Sequence, residues 1–226
     1  MKVILSLSGG LDSAVLLWYL LKERNMIRCL SVNYGQRHKK ELLTAVGVVQ
    51  AARDTFGQII EHQVADLCHL DFLFAGSSQT IRGPEVPEGH YTDQSMKQTI
   101  VPNRNMVFIS LAGAWAVATR SNAVAYAAHA GDHAIYPDCR PEFTEQMEDA
   151  LRLCDWHPIE LLRPFLIPTP MNKTDIVRLG SELRVPFHLT WSCYKGLYRH
   201  CGKCGTCVER REAFEQSGVR DLTEYE

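Results

Sequence analysis

No stretch of this 226-residue chain approaches the roughly 18–20 consecutive apolar residues needed to cross a bilayer. The N-terminus runs straight into Val3-Ile4-Leu5 without the charged, apolar and small-residue zones of a secretory leader. A cytoplasmic protein with no membrane partner is therefore expected. There is no excess of one charge: 24 Lys and Arg face 26 Asp and Glu, for a formal net charge of −2. That argues against a broad nucleic-acid-binding face, though not against a local one. Gly-Lys-Ser/Thr is missing, which rules out a Walker A loop, and so is G-x-G-x-x-G, which rules out the dinucleotide fingerprint. No internal repeat and no low-complexity segment is present.

What is there is an ordinary globular composition, 46% hydrophobic and 22% charged, in a chain long enough for one well-buried domain with a small appendage. Apolar runs alternate with helix-periodic segments. Strands are expected at Lys2–Leu7, Ile27–Asn33, Gln58–Val64, Asn122–Ala128 and Ile159–Phe165. Helices are expected at Ser13–Arg24, Lys39–Phe56, Val107–Thr119, Glu142–Leu153, Lys173–Leu183 and Val208–Gln216. That alternation predicts an α/β fold: a parallel sheet covered by helices on both faces, with its ligand beyond the carboxyl ends of the strands. Residues 66–101 show little periodicity and read as a flap near the site, part of it poorly ordered without ligand. Asp221–Glu226 reads as a frayed end.

The first strand opens onto Ser8-Gly9-Gly10-Leu11-Asp12-Ser13. Two adjacent glycines allow a sharp turn and leave bare N–H groups at a helix N-terminus, which suits a phosphate. Ser8 and Ser13 add hydroxyls. Without a phosphate, the same residues make a tight turn capped by Asp12 or Ser13. Tyr34-Gly-Gln-Arg-His38 follows the second strand at the same sheet edge. It is either a polar turn or places Arg37 and His38 in the phosphate crevice, with Tyr34 or Gln36 near a nucleotide. Arg104 follows Pro102 and Asn103 at the start of a helix, where a cation is disfavoured and where Asn103 or Asn105 can cap. A bound anion resolves that conflict, so Arg104 is a candidate phosphate ligand. Lys173, at another helix start that Asn172 or Thr174 can cap, is either a solvated lysine or a second phosphate cation. The loop from His129 to Phe143 is the densest polar loop in the chain, and Pro137 and Pro141 stiffen Asp138-Cys139-Arg140 between them. Stiff polar loops at a strand's carboxyl end often set specificity.

Eight cysteines are unevenly placed: Cys29, Cys68, Cys139 and Cys154 are scattered, while Cys193, Cys201, Cys204 and Cys207 cluster. The spacing C-x7-C-x2-C-x2-C brings four thiolates to one corner. Four thiolates suit tetrahedral Zn2+ with no open position, one structural site per chain. An iron–sulfur cluster and a redox-active C-x-x-C are the alternatives. Arg199, Lys203, Arg210 and Arg211 allow a nucleic-acid-binding ribbon, on thin grounds.

The Ser8–Ser13 loop resembles the PP-loop of N-type ATP pyrophosphatases. Together with Tyr34–His38, Val101–Asn105, Tyr136–Arg140, Thr190–Cys193 and Cys201–Arg210, taken in order, the chain resembles the 7-cyano-7-deazaguanine synthase family (QueC, or ExsB). The resemblance implies an adenine-nucleotide alpha-hydrolase-like domain over 1–188 with a zinc-binding module over 189–226, and a homodimer. It implies ATP-dependent conversion of 7-carboxy-7-deazaguanine and ammonia to the nitrile, through an adenylated carboxylate and an amide, in queuosine biosynthesis. Ser8, Gly9, Gly10, Leu11, Asp12, Ser13, Arg37, His38 and Arg104 would then bind ATP, with Mg2+ on the phosphates. Asp12, Arg104 and Lys173 would be catalytic. Asp132, Tyr136, Asp138 and Arg140 would hold the deazaguanine acid. Many members carry an aspartate, a variable residue, a serine and a glycine before Tyr-Pro-Asp-Cys, whereas here Asp132-His-Ala-Ile135 stands.

Three other readings stay open at this stage. One is a QueC-like defence enzyme that stops at the amide or joins a deazaguanine to a macromolecule. Another is a tRNA-modifying PP-loop enzyme, although neither an added RNA-binding domain nor a basic surface is found. The last is a non-catalytic nucleotide or zinc module, against which Asp12, Arg104 and Lys173 together argue.

Overall fold

The computed structural model describes residues 1–226, apart from the side chains of His133 and Ala134. Five strands form one sheet in the order β3-β2-β1-β4-β5. They are β1 (Lys2–Ser6), β2 (Met26–Asn33), β3 (Glu61–Asp66), β4 (Ala123–Ala125) and β5 (Glu160–Leu162). Every neighbouring pair is parallel, and Leu5 at the centre lies opposite Cys29 on one side and Ala125 on the other. The chain builds outward from β1 through β2 to β3, then crosses over to β4 and β5. The order therefore reverses between β1 and β4, and the crevice at such a switch point is where this architecture binds ligands.

Six helices cover the sheet: α1 (Leu11–Lys22), α2 (Lys40–Phe56), α3 (Arg104–Ala118), α4 (Pro141–Leu153), α5 (Lys173–Glu182) and α6 (Gly205–Ser217). Strand alternation divides the core. Val3 and Leu5 face a layer built from α1, α2, α5 and α6, with Trp18, Val49, Ile176 and Phe214 buried in it. Ile4 points the other way, onto α3 and α4, with Ile109, Ala112, Met147 and Leu151. A central strand apolar on both faces is what a doubly covered parallel sheet requires.

β4 and β5 are shorter than the apolar runs suggest, because only Ala123–Ala125 and Glu160–Leu162 find ladder partners. β3 starts three residues later than expected, because Gly57 ends α2 in the left-handed region at φ 63° and residues 58–60 bridge back to the sheet.

The segment 66–101 is not a loose flap. Short 3-10 turns at Cys68–Phe74 and Gln94–Thr99 give it local structure. Ser77, Ser78 and Gln79 are at most 1% exposed. Arg37 holds the segment through its carbonyls: the guanidinium donates to Ser78, Thr80, Gly83 and Pro84 at 3.1–3.3 Å. These backbone carbonyls find a donor inside the protein, which is what allows a long loop to be buried. Farther along, Gly89 N donates to Lys203 O at 3.1 Å and Glu88 pairs with Lys195. A Cβ on Gly205 would lie 2.7 Å from Met96 Sδ, so the segment is clamped against the start of α6.

The C-terminal end is held as well. Asp221 accepts from Tyr225 Oη at 2.7 Å and from Thr223 N at 3.0 Å. Glu226 N donates to His200 O at 2.9 Å and His200 N to Glu224 O at 3.3 Å. The frayed end read from the sequence is corrected by these contacts.

α3 presents Arg104, and its cap comes from elsewhere in the chain. Asn103 sits at the N-cap with φ 53° and makes no side-chain cap bond. Asp138 Oδ2 instead accepts from Asn105 N at 3.2 Å, while Asn105 Nδ2 reaches Asp138 O at 3.4 Å and Cys139 Sγ at 3.4 Å. A carboxylate at a helix N-terminus is favoured both by the free N–H groups and by the dipole. Asp138→Ala is expected to lower stability by about 1 kcal/mol, with Asp138→Asn milder; urea unfolding of both variants checks this, and equal midpoints for Asp138→Ala and the parent would rule the cap out.

Candidate active site and four-cysteine cluster

The site is built from the loop after β1 outward. Gly9 adopts φ +84°, and a Cβ there would sit 2.2 Å from Glu41 O. Only glycine permits this approach of the loop to α2. Gly9 O is held by Thr44 Oγ1 at 3.2 Å and by Trp191 N at 2.9 Å. Gly10 is the N-cap of α1 and no side chain caps the helix. Neither Asp12 nor Ser13 does so: Ser13 Oγ donates to Gly10 O at 3.1 Å and pairs with Ser8 Oγ at 3.0 Å. The uncapped first turn, with two hydroxyls beside it, faces a cavity. Such a terminus attracts an anion.

The same cavity is lined by Ser8, Gly10, Leu11, Asp12, Ser13, His38, Arg104, Asp132, Tyr136 and Lys173. Most of the candidate residues are therefore brought together. Gly9 lies behind the loop rather than on the wall. Three further candidates, Arg37, Asp138 and Arg140, lie outside the lining. Arg37 is committed to the carbonyls of 78–84, because a planar fork of donors in a ring of carbonyls satisfies backbone groups that burial would orphan. Asp138 caps α3. Arg140 is the N-cap residue of α4 and is exposed. Gln36, also considered for a nucleotide, is wholly buried, its amide donating to Val32 O and Glu41 Oε1 while its carbonyl accepts from Tyr34 N.

Arg104 carries a charge into this cavity with no carboxylate against it among the described residues. Its Nη1 donates to Gln79 Oε1 at 2.9 Å and to Tyr34 Oη at 3.4 Å. Burial alone would lower its pKa, but the surrounding phenol oxygens of Tyr34, Tyr194 and Tyr136 outweigh it and hold the guanidinium charged. Burial pushes the Tyr34 hydroxyl up to about 12, so that group stays a neutral donor or acceptor. A half-buried charge without a counter-ion loses part of its hydration uncompensated. An incoming anion would remove that cost.

Lys173 differs. Asp12 Oδ2 lies 2.6 Å from its Nζ and Glu209 Oε2 3.4 Å. Burial works against each charge, but the pairing wins for two of the three: Lys173 is held above the ordinary lysine range and Asp12 below the ordinary carboxylate range. Glu209 goes the other way, because burial outweighs its more distant lysine. Lys173 stands at the first position of α5, and Asn172 supplies the cap, accepting from Asp175 N at 3.0 Å while Asp175 answers at Asn172 N.

Aromatic walls close the opposite side. Tyr91 and Tyr136 have ring centroids 6.1 Å apart, and His38 and Tyr194 5.3 Å. Tyr136 Oη shares a 2.6 Å bond with Thr99 Oγ1. Tyr91 Oη donates to Asp132 Oδ1 at 3.0 Å. Both oxygens of Asp132 are engaged, since Oδ2 accepts from His129 N at 3.3 Å.

Several cavity residues were not singled out from sequence: Gln79, Tyr91, Trp191, Tyr194 and Glu209. Glu209 left one signal, its place two residues after Cys207 and one before Arg210. Tyr91 and Gln79 left none, because they come from the segment without periodicity.

The four cysteines Cys193, Cys201, Cys204 and Cys207 are buried, with their sulfur atoms within 4.8 Å of one another. None is in a disulfide. Cys204 N and Lys203 N point at Cys201 Sγ from 3.2 and 3.4 Å, and Cys201 N at Cys193 Sγ from 3.5 Å. Backbone donors aimed at sulfur favour thiolates. The donor set thus fits a metal held by four sulfurs, with no position left for a substrate. Arg210, 1% exposed, ties the cluster to the fold through Thr190 Oγ1, Phe187 O and Asp221.

Residues 2–218 match the family described as "Queuosine biosynthesis protein QueC". The chain belongs to the QueC family. It is 48% identical over the whole of both chains to the 7-cyano-7-deazaguanine synthase of Methanoregula boonei. To the protein of that name from Caldicellulosiruptor saccharolyticus it is 45% identical, over 100% of this chain and 96% of the other. Among solved structures, a 4-thiouridine synthetase–RNA complex with bound ATP aligns at TM-score 0.55 and 19% identity, over 95% of this chain and 53% of that one. NMN synthetase from Francisella tularensis aligns at 0.51 and 16%, over 97% and 78%. These two share the PP-loop fold. No helix of the described residues is long and apolar enough to cross a membrane.

The Lys173 network yields a test. Lys173→Met leaves the partly buried Asp12 and Glu209 without their cation, which costs about 1–2 kcal/mol at neutral pH, less than for a fully buried pair because water screens part of the charge. Burial then raises both folded carboxyl pKa values above their unfolded ones. The penalty therefore shrinks as pH falls through the carboxylate range and the two groups take up protons. Urea unfolding of variant and parent at pH 7 and pH 4.5 measures this; a difference independent of pH would contradict it.

Proposed function

We propose that this chain is a 7-cyano-7-deazaguanine synthase, converting 7-carboxy-7-deazaguanine and ammonia to the nitrile at the expense of ATP. Full-length identity of 48% to a protein of that name carries the reading, and the cavity supplies groups that such chemistry needs. A carboxylate oxygen leaves poorly until it is adenylated. Adenylation requires donors on the phosphates, a cation for the developing charge and a pocket that keeps water from the acyl-adenylate.

Each need has an occupant. The uncapped start of α1, with Ser8, Gly10, Leu11 and Ser13, takes the phosphates. Arg104 offsets charge on the phosphates or on the oxygen under attack. Lys173 holds Asp12 and supports the pyrophosphate end, with Asp12 available to Mg2+, whose role is to screen the phosphate charge. His38, whose Nδ1 is buried without a partner, contacts the nucleotide. The aromatic walls of Tyr91, Tyr136 and Tyr194 take the flat deazapurine. Asp132 stays on that wall, whereas Asp138 and Arg140 shape the loop from outside it. Ammonia displaces AMP to give the amide, and a second activation of the amide oxygen allows loss of water as AMP leaves. No side-chain nucleophile is required.

The four sulfurs hold one Zn2+ per chain as a structural ion, in a module over 189–226 packed on a catalytic domain over 1–188. The reading includes a homodimer in the cytoplasm. A variant that stops at the amide is the second reading, favoured by Asp132-His-Ala-Ile135 standing where many family members carry a serine and a glycine.

Incubation with ATP, Mg2+, ammonium and the acid, followed by product mass, tests the proposal: nitrile is expected, amide alone supports the variant, and no ATP turnover sinks the choice of acid. Arg104→Met is expected to lower the rate of acid-dependent ATP–pyrophosphate exchange by about 10²–10³-fold; a rate within a few-fold of the parent would remove Arg104 from the activation step. Metal analysis is expected to give about one zinc per chain, and iron with visible absorbance would contradict it.

A further inference from the structure

Arg104, Lys173 and Arg210 all line the cavity. Lys173 meets Asp12 and Glu209, and Arg210 meets Asp221. Arg104 has no carboxylate of its own among the described residues. Its bracing uses one nitrogen: Nη1 donates to Gln79 Oε1 at 2.9 Å and to Tyr34 Oη at 3.4 Å. Nε and Nη2 make no hydrogen bond among the described residues, and neither is sealed from solvent. That edge of a guanidinium presents two parallel N–H groups, which match the two oxygens of a planar carboxylate.

The brace is neutral for a structural reason. Gln79 is 0% exposed, and its Nε2 donates to Thr99 O at 2.7 Å. A carbonyl can only accept and a guanidinium can only donate, so a side-chain amide is the group that bridges the two. A glutamate of the same shape would set a second acceptor against Thr99 O and give Arg104 an internal counter-ion. The fold instead holds this charge with an uncharged acceptor and leaves it for an anion from outside.

The surroundings separate a carboxylate from a phosphate. The uncapped start of α1, with the Ser8 and Ser13 hydroxyls beside it, suits a polyphosphate. Arg104 stands at the start of α3, where Asp138 already accepts from Asn105 N at 3.2 Å. Its neighbours are the phenols of Tyr34, Tyr194 and Tyr136. Tyr136 Oη bonds Thr99 Oγ1 at 2.6 Å and reaches Tyr194 Oη at 3.5 Å, so Thr99 ties the arginine's brace to the aromatic wall. One cation among flat rings suits a planar anion of single charge.

We propose that the Nε–Nη2 edge of Arg104, braced by Gln79, seats the carboxylate of a planar aromatic acid whose ring lies against Tyr136 and Tyr194. The seat rests on the acid-activation reading above and assigns Arg104 to the acid rather than to the phosphates. Each carboxylate oxygen accepts one N–H and keeps a lone pair. One of these attacks the α-phosphorus of ATP, and the electron pair of the broken P–O bond leaves with pyrophosphate. Gln79 is a positioning residue: it acts through Arg104.

Binding and activation are read separately. Without ATP, equilibrium titration of the parent protein is expected to find 7-carboxy-7-deazaguanine bound at least about tenfold tighter than 7-deazaguanine, which lacks the carboxyl group. In Gln79→Glu the new carboxylate occupies Arg104, and that preference is expected to vanish. In acid-dependent ATP–pyrophosphate exchange, Gln79→Glu is expected to raise the KM for the acid about tenfold with the KM for ATP close to the parent. Gln79→Met removes the brace without adding a charge and is expected to raise the acid KM less than Gln79→Glu does. Equal binding of the two ligands by the parent, or binding of neither, overturns the seat whether or not the variants fold. A rise in the KM for ATP in place of that for the acid, or a larger effect in Gln79→Met, also overturns it. A parent that prefers the acid yet catalyses no exchange supports the seat and overturns the acid-activation reading.

Discussion

The ion pair between Asp12 and Lys173, 2.6 Å long and spanning 161 residues of sequence, is the constraint on which the site depends. It joins the phosphate-type loop after β1 to the first turn of α5, and through Glu209 at 3.4 Å it reaches α6. Three elements from the beginning, the last third and the end of the chain meet at one ammonium group. A buried pair of this kind adds little net stability, since desolvation offsets much of the attraction. It does fix which elements must be adjacent before the cavity exists. The site is therefore assembled by a polar contact on an apolar frame, and the frame alone would leave its charges uncompensated.

Two cations on the cavity wall, Lys173 and Arg104, differ in their surroundings. Lys173 is neutralised by carboxylates and cannot bind an anion without disturbing them. Arg104 meets only phenols and an amide oxygen, so its charge is available. In the sequence both are helix-start cations, Lys173 either a solvated lysine or a second phosphate cation and Arg104 a candidate phosphate ligand. The distinction lies in partners 161 residues away for the one and 70 residues away for the other, which no local pattern reveals.

Legibility followed locality throughout. The loop at Ser8–Ser13 was readable because a strand, a turn and a helix start are consecutive in sequence, and the four cysteines because their spacing is itself the ligand geometry. The alternating elements were readable because periodicity is a property of each segment. What was not readable depends on tertiary partners. Arg37 looks like a phosphate ligand until the carbonyls of 78–84 claim it. Asp138 looks like a substrate reader until the bare N-terminus of α3 arrives beside it. Residues 66–101 look like a flap because their order comes from buried hydrogen bonds with distant groups and not from a repeating apolar pattern. Tyr91 and Gln79 reach the cavity only through that order.

The four-cysteine module owes its importance to what it carries. Cys204 is the N-cap of α6, so the sulfur cluster sets where that helix starts. Thr206, Glu209 and Arg210 follow within its first two turns and all reach the cavity wall. Before the cluster, Trp191 N holds Gly9 O at 2.9 Å, which pins the loop after β1. A metal at the four sulfurs would have no open coordination position, yet it would position residues on both sides of the cavity at once. Loss of the metal would thus act on the site through geometry, by releasing Glu209 from Lys173 and Trp191 from Gly9, and these are the contacts that join the two ends of the chain.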